Sequence, residues 1–416
     1  MTTTSDAALD HWGDYDHDHP FRLFERVREA GPVHEVTLAD GHRAFLVVGY
    51  AAAREALNHP DLSKDMLTAL AGDGAVVAEG LPGPAFARHM LSVDPPDHTR
   101  LRRLAAGAFR RARLEALEPR IRRIVDELLD ELETADDPVD LVAGFARPFP
   151  FAVVGELLGI DRPDQERLSG WFATLLAPYG GAEPPAEAVA ASDQIVGYLN
   201  DLVDRRWDEP TDDLVGDLVR AGRDDQLTRQ ELLSTVFQLI VAGHDTTTSL
   251  IGNGLAALLP HPDQRDSLVD DPALVTHAVE EMLRFDAPAH HATFRYAVRD
   301  LTLAGVAVPA GVQVLVNLAA AGRDPDRNDD PDEFDVRRGG GAHVAFGHGV
   351  HHCLGAPLAR LEADIAFTEL LRRFPGMRLA VAPEELHWGH GDGLVLRGLS
   401  ALPVLLRPWE RTQGSS

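Results

Sequence analysis

The sequence of 416 residues predicts a mainly α-helical fold with small β-sheets. Apolar residues recur at helical spacing through most of the chain, and Pro, Gly and Asp cluster between the periodic stretches. Alternation with a period of two is confined to short runs near 33–48 and 301–316. No segment repeats at a period of about 20–50 residues, which excludes a solenoid or a propeller. Hydrophobic residues make up 44% and charged residues 25%, the balance of a folded globule and not of a disordered chain. At ~150 residues per domain the length alone allows roughly three domains.

The elements follow in order. The first twenty residues are expected to be loosely ordered. Residues 21–30 (FRLFERVREA) have helical spacing and stop at Gly31-Pro32; 33–48 alternate about Asp40-Gly41 as a hairpin, placing a small sheet near the N-terminus. The Gly/Pro-rich stretch 72–84 is too broken for a helix and long for a connection, as functional loops often are. Helical patterns run through 97–134, 140–159, 164–177 and 186–207, the last two separated by the break from Gly180-Gly181 to Pro184-Pro185. Thr228 with Glu231 forms a capping box that opens ELLSTVFQLIVAGHDTTTSLIGNGLAALL, a helix of roughly eight turns ended by Pro260. Strand pairs at 301–308 and 312–316 flank Pro309-Ala310-Gly311. The acidic loop 324–335, the Gly339-Gly340-Gly341 turn and a helix from 354 to 373 complete the chain.

Charge narrows the function. The net charge of −27 argues against nucleic-acid binding. Residues 100–123 run against it, with nine Arg to two Glu, an island suited to an acidic partner. The N-terminus lacks the basic start and apolar run of a signal peptide, and no stretch offers the ~20 apolar residues of a membrane span; a soluble, cytoplasmic protein is expected. Cys353 is the only cysteine, which excludes an intramolecular disulfide and a four-cysteine zinc site.

Four segments carry chemistry. The long helix is apolar on both sides of Ala242-Gly243-His244-Asp245-Thr246-Thr247, and polar groups in the middle of a buried helix are costly unless used. There Gly243 would let another body approach the backbone, a Thr hydroxyl bonding one turn back would open a groove, and an acid beside an alcohol can relay protons. Glu281 and Arg284, at i and i+3, share a helix face, as do His98 and Arg102 at i and i+4 after Pro95-Pro96, where two donors suit a carboxylate. In Phe346-Gly347-His348-Gly349-Val350-His351-His352-Cys353-Leu354-Gly355 a glycine-rich loop enters a helix, so backbone N–H groups point at the sulfur and favour a thiolate. A catalytic cysteine, a zinc site using His348, His351, His352 and Cys353, and axial ligation of haem iron are the three readings. The first leaves the Asp245-Thr246 helix without a use, and the second packs its ligands within six residues, unlike the usual separated pairs. Haem ligation needs one Cys, a close glycine loop, a second wall and cations for two propionates, all of which the sequence supplies.

Together, Ala242-Gly-x-Asp245-Thr246-Thr, Glu281-x-x-Arg284 and Phe346-Gly-x-Gly-x-His351-x-Cys353-Leu-Gly resemble the three signatures of the cytochrome P450 family, in the family's order. With DPPDHTRLR at 94–102 and PAGVQVLVNLAAAGRDP at 309–325 the likeness spans nearly the whole chain and is nearest to the soluble bacterial enzymes that tailor macrolides and polyketides. It implies the cytochrome P450 fold, one domain over 1–416 in place of three. It implies haem b, with Cys353 as axial ligand in the loop of Phe346 and Gly347 and with His98, Arg102, Arg295 and His351 paired to the propionates. Asp245 and Thr246 would carry protons to the reacting oxygen, while Glu281 and Arg284 would be structural and joined to Arg338. Pocket walls would come from 62–92, 170–190, 241–244, 287–293 and 393–397, with Val241, Ala242, His244, His290 and His291 lining or bordering the substrate and Trp171, Phe172 and Tyr179 as aromatic candidates.

The activity so implied is insertion of one oxygen atom from O2 into a C–H bond of an apolar substrate, by default a hydroxylation in secondary metabolism. Epoxidation, desaturation, oxidative coupling and a peroxide-driven reaction are the alternatives, and a non-enzymatic haem sensor would have no use for a proton relay. Only 63 residues follow Cys353, so electrons are expected from NAD(P)H through a separate ferredoxin reductase and ferredoxin, the latter docking on 100–123.

Overall fold

The computed structural model describes residues 11–38, 41–66, 88–175, 184–224, 226–338, 343–389 and 394–406. The loop 72–84, Tyr179, the Gly180-Gly181 break and the Gly339–Gly341 turn lie outside them.

Helix α1 (Phe21–Ala30) stops at Gly31 and is followed by β1 (Val33–Thr37) and β2 (Arg43–Val47), an antiparallel pair with Val33 opposite Val47. Helix α2 (Tyr50–Leu57) and β3 (Leu62–Ser63) come next. The pattern at 97–134 divides into α3 (Asp97–Ala105), a 3-10 turn at Ala106–Phe109 around Gly107, and α4 (Arg111–Thr134). That at 140–159 divides likewise into β4 (Val139–Asp140), a π-helical turn at Val142–Ala146 and α5 (Pro148–Leu158). Periodicity reports which face is buried, and each local break leaves that face in place, so neither division shows in the pattern.

Helices α6 (Arg162–Leu175), α7 (Ala186–Asp208) and α8 (Leu214–Arg223) lead to α9 (Arg229–Leu258). The capping box of α9 is formed: Thr228 N donates to Glu231 Oε2 at 2.9 Å, and Glu231 N to Thr228 Oγ1 at 3.2 Å. Then come α10 (Pro262–Asp270), α11 (Val275–Phe285), β5 (Arg295–Ala297), β6 (Leu301–Leu303), β7 (Val306–Val308), β8 (Gln313–Val316), α12 (Leu318–Gly322), α13 (Ala356–Arg373), β9 (Arg378–Leu379) and β10 (Pro403–Leu405).

The hairpin predicted near the N-terminus is the edge of a five-stranded sheet ordered β1-β2-β8-β5-β3, in which β8 runs parallel to β2 with Phe45 opposite Val314. A strand about 270 residues away in sequence thus completes the first sheet. The main apolar core gathers around α9, which is buried almost throughout and packs on α5, α7, α11 and α13. The expectation of a loose end is corrected over 11–20. Trp12 is completely buried, bridges Leu38 and packs with Leu23, Phe24 and Leu46 in a core of its own.

Candidate active site

The thiol loop is built by two tight reversals. Gly347 N donates to Val344 O and Cys353 N to Phe346 O, both at 2.8 Å. Gly347 and Gly349 take φ of +72° and +74°, which a side chain would resist. A Cβ on Gly349 would also lie 2.8 Å from Asn58 Oδ1 and 3.0 Å from Leu57 O, so the loop seats on the end of α2. The Cys353 sulfur accepts hydrogen bonds from the N–H groups of Gly355 and Ala356 at the start of α13, yet the residue is exposed. Burial by the surrounding protein pushes the thiol up, against the pull of those two amides, Arg102 and Arg360. The helix end therefore offsets the cost of a thiolate without covering it. A metal ion ligated here would supply the missing positive charge.

Beside the thiol stands a crowd of basic groups. His98 on α3 lies against His351, ring centroids 4.2 Å apart, and its buried Nδ1 has no hydrogen-bond partner among the described residues. Lys64 is buried, its Nζ donating to Thr293 Oγ1 and Phe294 O, both at 2.6 Å; Arg295 donates to Thr293 O at 3.0 Å. Burial first, and then the fields of His98, Lys64, Arg295 and Arg102, hold His351 down to about 3. Burial likewise lowers His98, Lys64, Arg102 and Arg295, the last to about 10. Asp94 opposes this in Lys64, His98 and Arg295, and its own oxygens are occupied by Ser63 Oγ and Lys64 N. Basic groups pressed together in this way fit an anion with more than one carboxylate, the requirement of haem propionates. The sequence reading missed Lys64, although one signal was available: it is the only lysine in a chain whose other strong bases are all arginine.

The second wall lies on α9. Gln238, Val241 and Thr246 are partly exposed and Ala242 fully so, a stripe along an otherwise buried helix. Thr246 Oγ1 donates to Ala242 O at 2.8 Å, and the helix runs on unbroken instead of opening into a groove. The body that approaches Gly243 is α5, since a Cβ there would lie 2.7 Å from Val154 Cγ2. Asp245 is buried, 3.1 Å from His244 Nδ1.

The three histidines expected to line or border the substrate are all buried among protein groups. His244 is about 200° around the helix from Ala242 and Thr246; its Nε2 lies 3.2 Å from Arg147 O and its ring stands edge-on to Phe151. His290 is buried against Phe21 and Phe24, with Nε2 3.2 Å from Asp286 Oδ1. His291 is completely buried, with Trp12 and Leu394 as partners. All three are core residues satisfied by protein groups. Phe172 is likewise buried, against Phe151 and Phe237, whereas Trp171 is partly exposed under Arg167.

Glu281 and Arg284 form a buried bidentate pair at 2.6 and 2.8 Å, and Arg338 Nε reaches Glu281 Oε1 at 3.2 Å. The Arg-rich island is largely neutralised: Arg100 pairs with Glu231 and Asp97, Arg111 with Glu115, Arg113 with Asp212 and Asp217, Arg120 with Glu156, and Arg122 with Glu118 and Glu369. Arg103, Arg110 and Arg123 are exposed and outside these pairs. No helix among the described residues is long and apolar enough to cross a membrane.

Residues 190–377 match the family described as Cytochrome P450. The cytochrome P450 monooxygenase PikC of Streptomyces venezuelae is 44% identical over 93% of this chain and 91% of its own. Mycinamicin IV hydroxylase/epoxidase of Micromonospora griseorubida is 41% identical over 92% and 94%. Among solved structures, the P450 monooxygenase TamI bound to tirandamycin C superposes with a TM-score of 0.84 at 41% identity, covering 97% of this chain and 99% of that one. A reachable thiol on a glycine loop beside clustered bases is thus found in a chain whose whole length follows these enzymes, and it belongs to the cytochrome P450 family of haem-iron monooxygenases.

Proposed function

We propose that Cys353 is the axial ligand of haem b, that His98, Arg102, Arg295, His351 and Lys64 hold its propionates, and that the enzyme hydroxylates an apolar natural product, as a tailoring step of secondary metabolism. The single observation that carries this reading is the exposed thiol, hydrogen-bonded by two amides at a helix start, next to buried basic groups short of anions. When bound, the haem supplies oxygen activation, to which a thiolate ligand donates electron density.

The chain's own groups do the rest. Phe346 and Gly347 shape the loop that presents the sulfur, and the Glu281, Arg284 and Arg338 network holds the segment that leads into it. Thr246 donates its single hydroxyl proton to Ala242 O on the exposed stripe of α9, so its oxygen can accept a hydrogen bond, and to relay a proton the O–H swings off that carbonyl and is replaced from the incoming donor. Asp245, next in sequence and buried, is the acid that replenishes it. Val241 and Ala242 give the stripe an apolar face for the substrate. Electrons come from NAD(P)H through a ferredoxin and its reductase, with Arg103, Arg110 and Arg123 the arginines of the island left to meet an acidic ferredoxin. Hydroxylation follows the names of the relatives, one of which is a hydroxylase and epoxidase.

The test is spectroscopic. The reduced holoenzyme is expected to give the strongly red-shifted carbon monoxide band of a thiolate-ligated haem, and Cys353→Ser to lose it. A serine variant that keeps the band would overturn the assignment.

A further inference from the structure

Residues 394–397, in the segment 393–397 that the family resemblance makes a wall of the substrate pocket, are held from behind by the N-terminal segment. Leu394, Val395 and Leu396 are all partly exposed, an apolar run beside buried Arg397. His291 N donates to Val395 O at 3.3 Å, Ala289 bridges Leu396, and a Cβ on Gly13 would lie 3.9 Å from Leu394 Cδ1. Past the wall, Arg397 O accepts from Asn253 Nδ2 at 3.0 Å, two turns along α9 from Thr246.

The chemistry of His291 makes one connection directional. Trp12 Nε1, 3.2 Å from His291 Nε2, can only donate, and Asn317 Nδ2 approaches the same nitrogen at 3.3 Å. His291 Nε2 must therefore be the unprotonated acceptor. The ring proton sits on Nδ1, which donates to Leu394 O at 2.5 Å. One neutral imidazole in one tautomer thus joins the indole of residue 12 to the wall at residue 394. Trp12 is itself fixed, its backbone N–H donating to Thr37 O at 2.7 Å and its ring packed on Tyr15 and Phe24. A second pin runs beside the first: Arg397 donates to His17 O and Asp18 O and is anchored by Asp286 at 3.1 Å. His290 and His291 stand out in the sequence because two adjacent histidines follow Pro288, and this connection gives the second of them a use.

We infer that Trp12 and His291 are a positioning pair through which the N-terminal segment sets the place of the 394–397 wall, and so selects substrates by size without touching them. The inference rests on the haem reading, and the probes separate the two. In Trp12→Phe the ring stays and the N–H is lost. In His291→Asn the amide keeps a donor near the Nδ1 position and the acceptor is lost. Each variant cuts the same bond from a different side.

The measurements are dissociation constants of the ferric holoenzyme for imidazole, which needs only the iron, and for clotrimazole, an imidazole carrying a bulky apolar body, followed by the Soret shift. Loss of one buried hydrogen bond predicts clotrimazole affinity weaker by about 10-fold in each single variant. The double variant should be no weaker than His291→Asn alone, because the bond that Trp12→Phe removes is already lost there. Imidazole affinity should stay within about twofold of wild type, since this probe does not reach the wall. Unchanged clotrimazole affinity in Trp12→Phe, or effects that multiply in the double variant, would overturn the inference. A wild-type protein whose Soret band ignores imidazole would instead sink the haem reading. If His291→Asn does not fold, hydrogen exchange in Trp12→Phe decides: faster exchange is expected across 394–398 and not across 353–360, and uniform exchange would refute the pairing.

Discussion

Arg284→Ala tests how the region ahead of the thiol loop is held. The guanidinium is 1% exposed and uses all five of its N–H groups. Nε and Nη2 donate to the two oxygens of Glu281 at 2.6 and 2.8 Å, Nη1 to Pro331 O at 2.7 Å and Gly322 O at 3.1 Å, and Nη2 also to Glu333 O at 3.1 Å. Truncation strands Glu281, equally buried, with Arg338 and the Asp335 N–H as its remaining partners. Breaking a buried pair from one side costs about 3–5 kcal/mol. Pro331 O is left without this donor and adds about 1 kcal/mol, whereas Gly322 O keeps Asn328 Nδ2 at 3.2 Å and Glu333 O keeps Arg338 Nη2 at 3.0 Å. The total, about 4–6 kcal/mol, is comparable with the entire stability of a marginal domain, about 5 kcal/mol. Arg284→Ala should therefore yield little or no folded holoenzyme. Arg284→Lys keeps the charge but has three donors and no planar fork, which predicts recoverable protein destabilised by about 2–3 kcal/mol in urea unfolding, with its carbon monoxide band in the wild-type position. An alanine variant within about 1 kcal/mol of wild type would refute the reasoning, because no accounting of a fully bonded buried guanidinium allows it.

Thr246→Ala should leave the carbon monoxide band intact while the product formed per reducing equivalent falls by about 10²-fold, the usual share of a positioned proton donor; unchanged coupling would remove Thr246 from the relay. Acid should destabilise the fold well before its carboxylates titrate, because burial holds His290 and His291 down to about 4 and about 3 while an unfolded histidine takes its proton near pH 6.5. Their contribution is complete above about pH 6.5 and lost as pH falls toward the folded values, about 2 kcal/mol for each at pH 5, and a urea midpoint that does not move between pH 7 and pH 5 would contradict it.

The proximal side of the site was legible in the sequence because its parts are contiguous. Cys353, Phe346 and Gly347 are within one loop, and His98 and Arg102 within one turn of a helix, so spacing alone placed each group on a common face. The capping box of α9 was legible for the same reason, since the four residues 228–231 contain it. What failed was long-range. The partners of His291 lie 279 and 103 residues away, the strand beside β2 comes from the far end of the chain, and Arg113 finds its acids on α8 and just before it, at Asp217 and Asp212, instead of on its own helix. The histidines at 244, 290 and 291 were polar residues in apolar surroundings, and sequence cannot tell a ligand-facing imidazole from one satisfied by a backbone carbonyl.

Lys64 shows how such a distinction is made once the neighbours are known. An ammonium has three donors, and two are taken by Thr293 Oγ1 and Phe294 O. Burial and Arg295 both act to strip its proton, with Asp94 alone opposing them among its named influences. A residue that served only to tie 293–294 in place could be a neutral amide and avoid that cost. Retaining a charge there makes physical sense when a negative group shares the space and repays the desolvation, and the same group answers the orphaned Nδ1 of His98 and the depressed His351. On the proposed haem reading, the one lysine of the protein places a compact charge that two acceptors hold at 2.6 Å and whose third donor would meet a propionate.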